Sequence, residues 1–517
     1  MPTMSRRKKL LIFSMMAFGQ FMALIDIQIV ASSLNEVQSG LSAGPAEISW
    51  VQTSYLMAEL VMIPFAGFLA RALSTRWLFA LSAGLFTLAS ALCGMAWNIE
   101  SMIAFRALQG FVGGAMVPTV WATGFMLFTG KDAAVASTIL GVVTMLAPAL
   151  GPSVGGWITD AIGWRWIFYI NLLPGAVIAV LSVMLIRVDR AEPSLLRRFD
   201  WSHLFAMAIC LSGLEYVLEE GPRHGWLRDP AIAVVSWVSL VAFALFVERS
   251  FHASVPVVRL TPLGRRSFLF ASLITAVVSA AIFAATYLVP LFLGRVRGFS
   301  SAEIGTTVCV TGLGMLVSAP VTVRLLQRID PRLVMALGLG VFFVSLWLFS
   351  EIGPEWGFAD LFLPHFLRGV AGMLCVVPAA NIALAGLVGE ELQHATGLFN
   401  LLRNLGGAIG IAGVNTWLQD DTRLHLARFG EALGSQGQAA QQALSELASR
   451  FELGSGDAAQ ALQMGQRAIE RLIARESLTL AFDDSFRLMA WMLLATFLLL
   501  PLCRVSANSL RDHPVEL

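Results

Sequence analysis

Residues Leu146 to Gly156 read L-A-P-A-L-G-P-S-V-G-G, inside an apolar segment that runs from about 134 to 159. Proline and glycine at this density end a helix in water. A bilayer tolerates them, because neighbouring helices re-satisfy the freed backbone groups. Ala147, Gly151 and Gly155 recur every four residues, and so do Pro148, Pro152 and Gly156. One helix face therefore has almost no side-chain bulk, beside a face bent by proline. A small-xxx-small face lets two membrane helices approach closely. Two readings fit: a close-packed helix pair, or a hinge and seal between two halves of a transporter. The seal reading expects the small face to meet the opposite half, at the tenth apolar segment.

The rest of the chain supplies that context. Of 517 residues, 57% are hydrophobic and 13% charged, with a net charge of +1. This excludes a disordered chain and carries no signature of nucleic-acid binding. The five cysteines are scattered singly in apolar segments, without metal or redox spacing. Arg6-Arg7-Lys8-Lys9 precedes about 25 apolar residues with no small-residue cleavage site, so the N-terminus reads as a first span. Fourteen segments of roughly 20 apolar residues follow one another, each long enough to cross about 30 Å of hydrocarbon. One set of short loops holds fourteen Lys and Arg, from Arg71 to Arg332; the opposite set holds only Arg165, Arg223, Arg228, Arg295 and Arg297. By the positive-inside rule the first set, and both termini, face the cytoplasm.

The expected fold is an all-α membrane protein of 14 transmembrane helices. Two pseudo-symmetric six-helix bundles, 1–190 and 261–419 with 485–517, flank an inserted helix pair at 191–260. The long polar loop 420–484 lies outside and reads as two amphipathic helices parted by Gly454-Ser455-Gly456, with Asp457 as N-cap of the second. It is either a solvated cap or a docking surface for a partner protein. An internal repeat supports the two-bundle scheme: Arg106 and Pro118 in span 4 match Arg368 and Pro378 in span 12, and the glycines of span 5 match Gly406, Gly407, Gly410 and Gly413 of span 13.

Ionisable residues at bilayer depth are costly and face a cavity or a partner. Four stand out: Asp26 in span 1, Glu59 in span 2, Arg106 in span 4 and Arg403 in span 13. At about 1.5 Å rise per residue, Asp26 sits roughly 12 Å and Arg106 roughly 6 Å below the outer surface, within reach of each other along an arginine side chain. Glu59 and Arg403 fall at about 16 and about 18 Å by the same rise, in opposite bundles, so an ion pair between them would bridge the halves. Each carboxylate is either a proton or substrate site or one arm of a structural ion pair. Gln28, Tyr55, Gln109, Trp121, Phe283 and Tyr287 are candidates for lining a substrate pocket, with packing or lipid contact as the alternative for the aromatic ones. Glu215 is expected to reach the outer interface.

Several motifs resemble the fourteen-span drug:proton antiporter family of the major facilitator superfamily, over nearly the whole chain. They are L-I-D-I-Q-I-V (Leu24–Val30), F-R-A-L-Q-G (Phe105–Gly110), L-G-P-S-V-G-G (Leu150–Gly156), W-R-W-I-F-Y-I-N-L-L-P-G (Trp164–Gly175) and N-L-L-R-N-L-G-G-A-I-G (Asn400–Gly410). The resemblance implies efflux of amphipathic small molecules driven by the proton gradient, without other cofactor, across a bacterial inner membrane. It implies a part in proton coupling for Arg106, and it makes Asp26 the hallmark aspartate of the span 1 motif. Related Gram-negative exporters with a long outer loop work with a periplasmic adaptor and an outer-membrane channel, which extends to residues 420–484 as an expectation. Two departures stand: Arg71 occupies the place of the family's aspartate between spans 2 and 3, and the span 1 motif continues V-A-S-S-L-N-E. An exporter dedicated to one endogenous metabolite, such as a siderophore or fatty acid, is the nearest alternative. A non-transporting sensor is a more distant one. No loop carries a nucleophile–base pair or a metal-ligand cluster, so enzymatic activity is not expected.

Overall fold

The computed structural model describes residues 5–44, 47–128, 131–197, 199–252, 256–353, 355–387, 389–435 and 458–503. Among them regular structure is entirely helical. In chain order the helices are α1 (Arg6–Ser32), α2 (Leu34–Leu41), α3 (Trp50–Leu73), α4 (Thr75–Gly94), α5 (Ile99–Gly113), α6 (Met116–Leu127), α7 (Lys131–Ile162), α8 (Trp166–Tyr169), α9 (Leu172–Leu185), α10 (Ser194–Arg197), α11 (Trp201–His224) and α12 (Pro230–His252). They continue with α13 (Arg266–Arg295), α14 (Ser301–Leu326), α15 (Pro331–Phe349), α16 (Phe358–Leu384), α17 (Gly389–Ser435) and α18 (Ala458–Thr496). Twelve stretches are long and apolar enough to cross a membrane, with α5 and α6 counted as one and α8 and α9 as one. The 32-residue α7 and the 47-residue α17 stand in the places of spans 5 and 13 and complete fourteen.

The helices α1 and α3–α9 pack together, as do α13–α18, while α11 and α12 pair with each other. The two halves meet where α7 touches α14 and α16, and where α17 touches α3 and α6. The inserted pair is more than a linker on the outside. α11 lies against both α3 and α17. Arg223 Nη1 donates to Ser49 Oγ at 2.8 Å, the Trp50 and Tyr216 rings lie 5.7 Å apart, and Trp226 Nε1 donates to Thr416 Oγ1 at 3.1 Å.

Two spans expected as single helices are broken, for a readable reason. Span 4 divides into α5 and α6 at Gly114-Ala115. Pro118 has no N–H to give the Gly114 carbonyl one turn back, so the ladder opens there. The opening brings Gly114 onto α3, where a Cβ would stand 2.7 Å from the Glu59 carbonyl oxygen. Span 6 divides into α8 and α9 around Asn171. Pro174, likewise without a donor, leaves the Ile170 carbonyl unpaired in the ladder.

The outer loop differs from expectation in another way. α17 runs without interruption through span 13 to Ser435, and α18 starts at Ala458 and runs into span 14. The two amphipathic helices are therefore extensions of membrane helices. No proline interrupts 389–435, and a helix once nucleated propagates at little cost per residue. Gly454-Ser455-Gly456 and Asp457 lie outside the described residues.

The loop between α3 and α4 lacks the family's aspartate, yet a carboxylate reaches it from elsewhere. Asp189, after α9, accepts from the Thr75 N–H at 3.0 Å and from Thr75 Oγ1 at 2.7 Å. The Glu192 N–H donates to the Arg71 carbonyl at 2.9 Å. Asp189 thus caps the first turn of α4 from a distant loop. Burial pushes the Asp189 carboxyl above its ordinary range, against the Thr75 hydrogen bonds that lower it. The acceptor therefore matters more than the charge. Asp189→Ala should lower stability by about 1 kcal/mol, the usual value of a helix cap, whereas Asp189→Asn should be nearly silent. Thermal unfolding of the detergent-purified variants measures both.

Candidate functional site

Asp26 and Arg106 meet with no exposure of either side chain, at an Arg106 Nη1–Asp26 Oδ2 distance of 2.6 Å. Asn171 Nδ2 donates to Asp26 Oδ1 at 2.7 Å, and Gln109 Nε2 donates to the same oxygen at 3.1 Å. Arg106 also donates from Nη1 to Gln109 Oε1 at 2.7 Å and from Nε to the Val51 carbonyl at 3.1 Å. Its guanidinium lies 4.3 Å from the centroid of the Tyr55 ring. Each member arrives for a local reason. Arg106 and Gln109 are three residues apart and share a face of α5. Gly110 lets that face close on α3, since a Cβ there would collide with the Tyr55 carbonyl. Asn171 sits in the break between α8 and α9. A second link runs from Asn171 Nδ2 to Ser90 Oγ at 3.1 Å, and from Ser90 Oγ to the Phe168 carbonyl at 2.8 Å. The sequence reading left out Asn171 and Ser90. The signal for the first was present, because Asn171 lies inside the quoted Trp164–Gly175 motif.

Glu59 and Arg403 do not form the direct ion pair that their depths suggested. Both are buried, at 6% and 2% exposure. Their charges lie within interaction range of each other, but no N–O contact of 4.0 Å or less joins them. Arg403 Nη2 reaches only its neighbour Asn404 Oδ1, at 3.5 Å, while Nε and Nη1 have no hydrogen-bond partner among the described residues. Depth alone leaves the azimuth of each side chain open, and α11 enters the groove between α3 and α17. It brings Glu215, also buried at 6% and within electrostatic range of Glu59. Glu215 therefore belongs to this groove and does not reach the outer interface. The double swap Glu59→Arg with Arg403→Glu should recover no more transport than either single change. Recovery near the wild-type rate would place a direct pair in another state of the cycle.

The small face of α7 also lies elsewhere than expected. A Cβ on Gly151 would strike the Gln28 side chain, and one on Gly155 would lie 2.7 Å from the Ile29 carbonyl. Both glycines therefore pack against α1, inside their own half. Contact with α14, the tenth span, is made by Ser153: a Cβ on Gly305 would stand 2.7 Å from Ser153 Cα. At 3.6 residues per turn, positions 151 and 155 share one face and 153 lies roughly opposite. Ala147 and Gly156 are buried and Pro152 is half-buried. The side chain of Pro148 is outside those described. The other half repeats the device, because Cβ atoms on Gly406 and Gly410 of α17 would collide with the Ala276 and Ala280 carbonyls of α13. The symmetry stops at the charges. Arg368 of α16 donates from Nη2 to Thr311 Oγ1 at 2.9 Å, and among the described residues no carboxylate pairs with it.

At the ends that carry the basic loops, two further contacts close the seam. Ser137 Oγ donates to Asn381 Oδ1 at 2.8 Å, and Gly67 of α3 lies under the Gln393 carbonyl of α17, 3.3 Å from an ideal Cβ. Gly305 and Ser153 close α7 on α14 at the far end.

The six pocket candidates make the following contacts among the described residues. Tyr55 and Gln109 belong to the charge network. Gln28 packs by its Cβ on Gly151, and Phe283 packs its ring on Gly407. Tyr287 donates its hydroxyl to Asn415 Oδ1 at 3.3 Å. Trp121, on α6, is fully buried, with its Nε1 lacking a partner among the described residues.

Two related helical halves, broken membrane helices and buried charges beside the seam define a two-bundle membrane transporter. The description of the Major Facilitator Superfamily matches residues 16–411. The chain belongs to that superfamily, in its drug:proton antiporter family. It is 37% identical over 486 residues to the colistin resistance protein EmrB of Acinetobacter baumannii, covering 94% of each chain. It is 26% identical over 433 residues to the multidrug export protein EmrB of Escherichia coli K12, covering 84% of each. The fold is also that of the human organic anion transporter MFSD10, with a TM-score of 0.61 at 12% identity, covering 96% of this chain and all of that one.

Proposed function

We propose that this protein exports amphipathic toxic small molecules across a bacterial inner membrane in exchange for protons, by alternating access. The observation that carries the reading is the fully buried network of Asp26, Arg106, Gln109 and Asn171. A buried carboxylate and guanidinium hold each other as a pair, and either one alone is strongly unfavourable. Protonating Asp26 removes the counter-charge of Arg106 and weakens three hydrogen bonds at once. α1 then shifts against α5. Because α1 touches α7 backbone to backbone at Gly151 and Gly155, the shift passes to α7, whose opposite face carries the seam residue Ser153. α7 thus connects the proton site to the contact that must open.

The basic loops face the cytoplasm, with both termini, and the far face is periplasmic. Glu59, Arg403, Glu215 and Trp121 line the substrate route between the halves. Support comes from their burial and from the unpartnered Arg403 and Trp121 donors, which a polar ligand group would satisfy. The helical extensions of α17 and α18 at the far face support docking of a periplasmic adaptor that leads to an outer-membrane channel. The test of the function is a proteoliposome assay that pairs an imposed pH gradient with a panel of cationic and anionic lipophiles. Gradient-dependent accumulation, with proton counterflow, is the expected result. A panel that moves without proton flux, or does not move at all, overturns the reading.

A further inference from the structure

Outside the charge network, one group of side chains has the composition and spacing of a ligand set. Asp421 and His425 stand one turn apart on the outer extension of α17, and Asp484 faces them from α18. His425 Nε2 lies 3.3 Å from Asp421 Oδ2 and 3.2 Å from Asp484 Oδ2. All three ligand atoms fall within 4.8 Å of one another. Asp421 and His425 are each 12% exposed in their side chains, and Asp421 Oδ2 makes no hydrogen bond. Two carboxylates gathered at one imidazole nitrogen call for positive charge between them, supplied by a metal ion or by the proton of an imidazolium.

The distances say which kind. Ligand bonds of about 2.0–2.1 Å in tetrahedral array put neighbouring ligand atoms about 3.3 Å apart. The two His425 distances match that edge. We propose that Asp421, His425 and Asp484 form a divalent transition-metal site, filled by zinc, with water as fourth ligand. An imidazole nitrogen with two carboxylate oxygens selects zinc over calcium or magnesium, which take all-oxygen shells. The surroundings fit. Arg487 Nη1 donates to the other oxygen of Asp484, Oδ1, at 3.3 Å, which orients that carboxylate. A cavity of about 430 Å³, lined by Trp226, Thr416 and Trp417 among others, borders Asp421.

The site also meets a structural need. Among the described residues of the two long extensions, Leu424 is 45% and Leu472 52% exposed. A metal clip across α17 and α18 supplies the fixation that apolar burial does not. It would hold the base of the outer hairpin at a set angle.

The experiment uses the full chain, purified in detergent without a polyhistidine tag and stripped with chelator. Zinc is titrated in competition with a chromogenic zinc chelator. One zinc per chain is expected, undisturbed by millimolar calcium or magnesium. His425→Ala and Asp484→Asn should each weaken it by about 100-fold, at the upper end of what even outer-sphere changes do. Asp420→Asn, a neighbouring exposed carboxylate, should not. Because a variant can misfold, hydrogen exchange at the outer ends of α17 and α18 is followed in parallel. Zinc should slow it in the wild type and leave His425→Ala unchanged. Absent zinc binding, or binding that survives both substitutions, overturns the proposal. So does protection that follows acidification alone, which would mark a protonated His425 bridging two carboxylates without metal.

Discussion

Asp26→Asn should reduce pH-gradient-driven efflux to background while leaving the protein folded and in the membrane. Asparagine keeps an oxygen that accepts from Arg106 or Asn171, so part of the local geometry survives, although the buried Arg106 loses its counter-charge and thermal stability should fall. What disappears is the group that takes up and gives back a proton. Substrate exchange down its own gradient should persist, which separates lost coupling from lost structure. Arg106→Ala should behave differently. It strands a fully buried carboxylate, at about 3–5 kcal/mol, and should lower thermal stability and yield together with transport. Efflux that continues at the wild-type rate in Asp26→Asn would remove Asp26 from the coupling mechanism, whatever its role in the fold.

Ser153→Cys should stop transport in an oxidant-dependent way. Ser153 Oγ lies 3.4 Å from the sulfur of native Cys309, across the seam between α7 and α14. A thiol at position 153 needs only a small approach from that distance to reach bonding distance. The disulfide would tie the halves together at the far face. If that face must open to release substrate, oxidation should lower efflux to background and a reductant should restore it. The Ser153→Cys protein with Cys309→Ser serves as control, and should transport under both conditions. A cross-linked protein that still transports would show that the α7–α14 contact is static. Gly151→Leu tests the other side of the same helix. It should act on stability, because Gly151 packs on α1 within one bundle and not across the seam.

Part of this site could be read directly. Four charged residues at bilayer depth are visible in a sequence with so few charges, and rise per residue placed Asp26 and Arg106 close enough to meet. The same arithmetic failed for Glu59 and Arg403. Depth is one coordinate out of three, and a helix crossing leaves the direction of each side chain to its neighbours. Asn171 was hidden because its role depends on a helix break. Asp189 was hidden because it caps α4 from 114 positions away. His425 and Asp484 are 59 positions apart and belong to different spans.

The periodicity of small residues in α7 and α17 was likewise legible, but its partner was not. The sequence alone determined that this is an all-helical membrane chain of fourteen spans with a charge-bearing, proline-broken interior. Hydrocarbon permits only helices whose backbone is satisfied within the segment, so length and hydropathy suffice for that conclusion. Only the tertiary structure decided which face of α7 meets α1 and which meets α14, and which buried charges join. Those choices rest on rotations about each helix axis. Close packing of side chains from distant parts of the chain sets those rotations, and no local pattern records them.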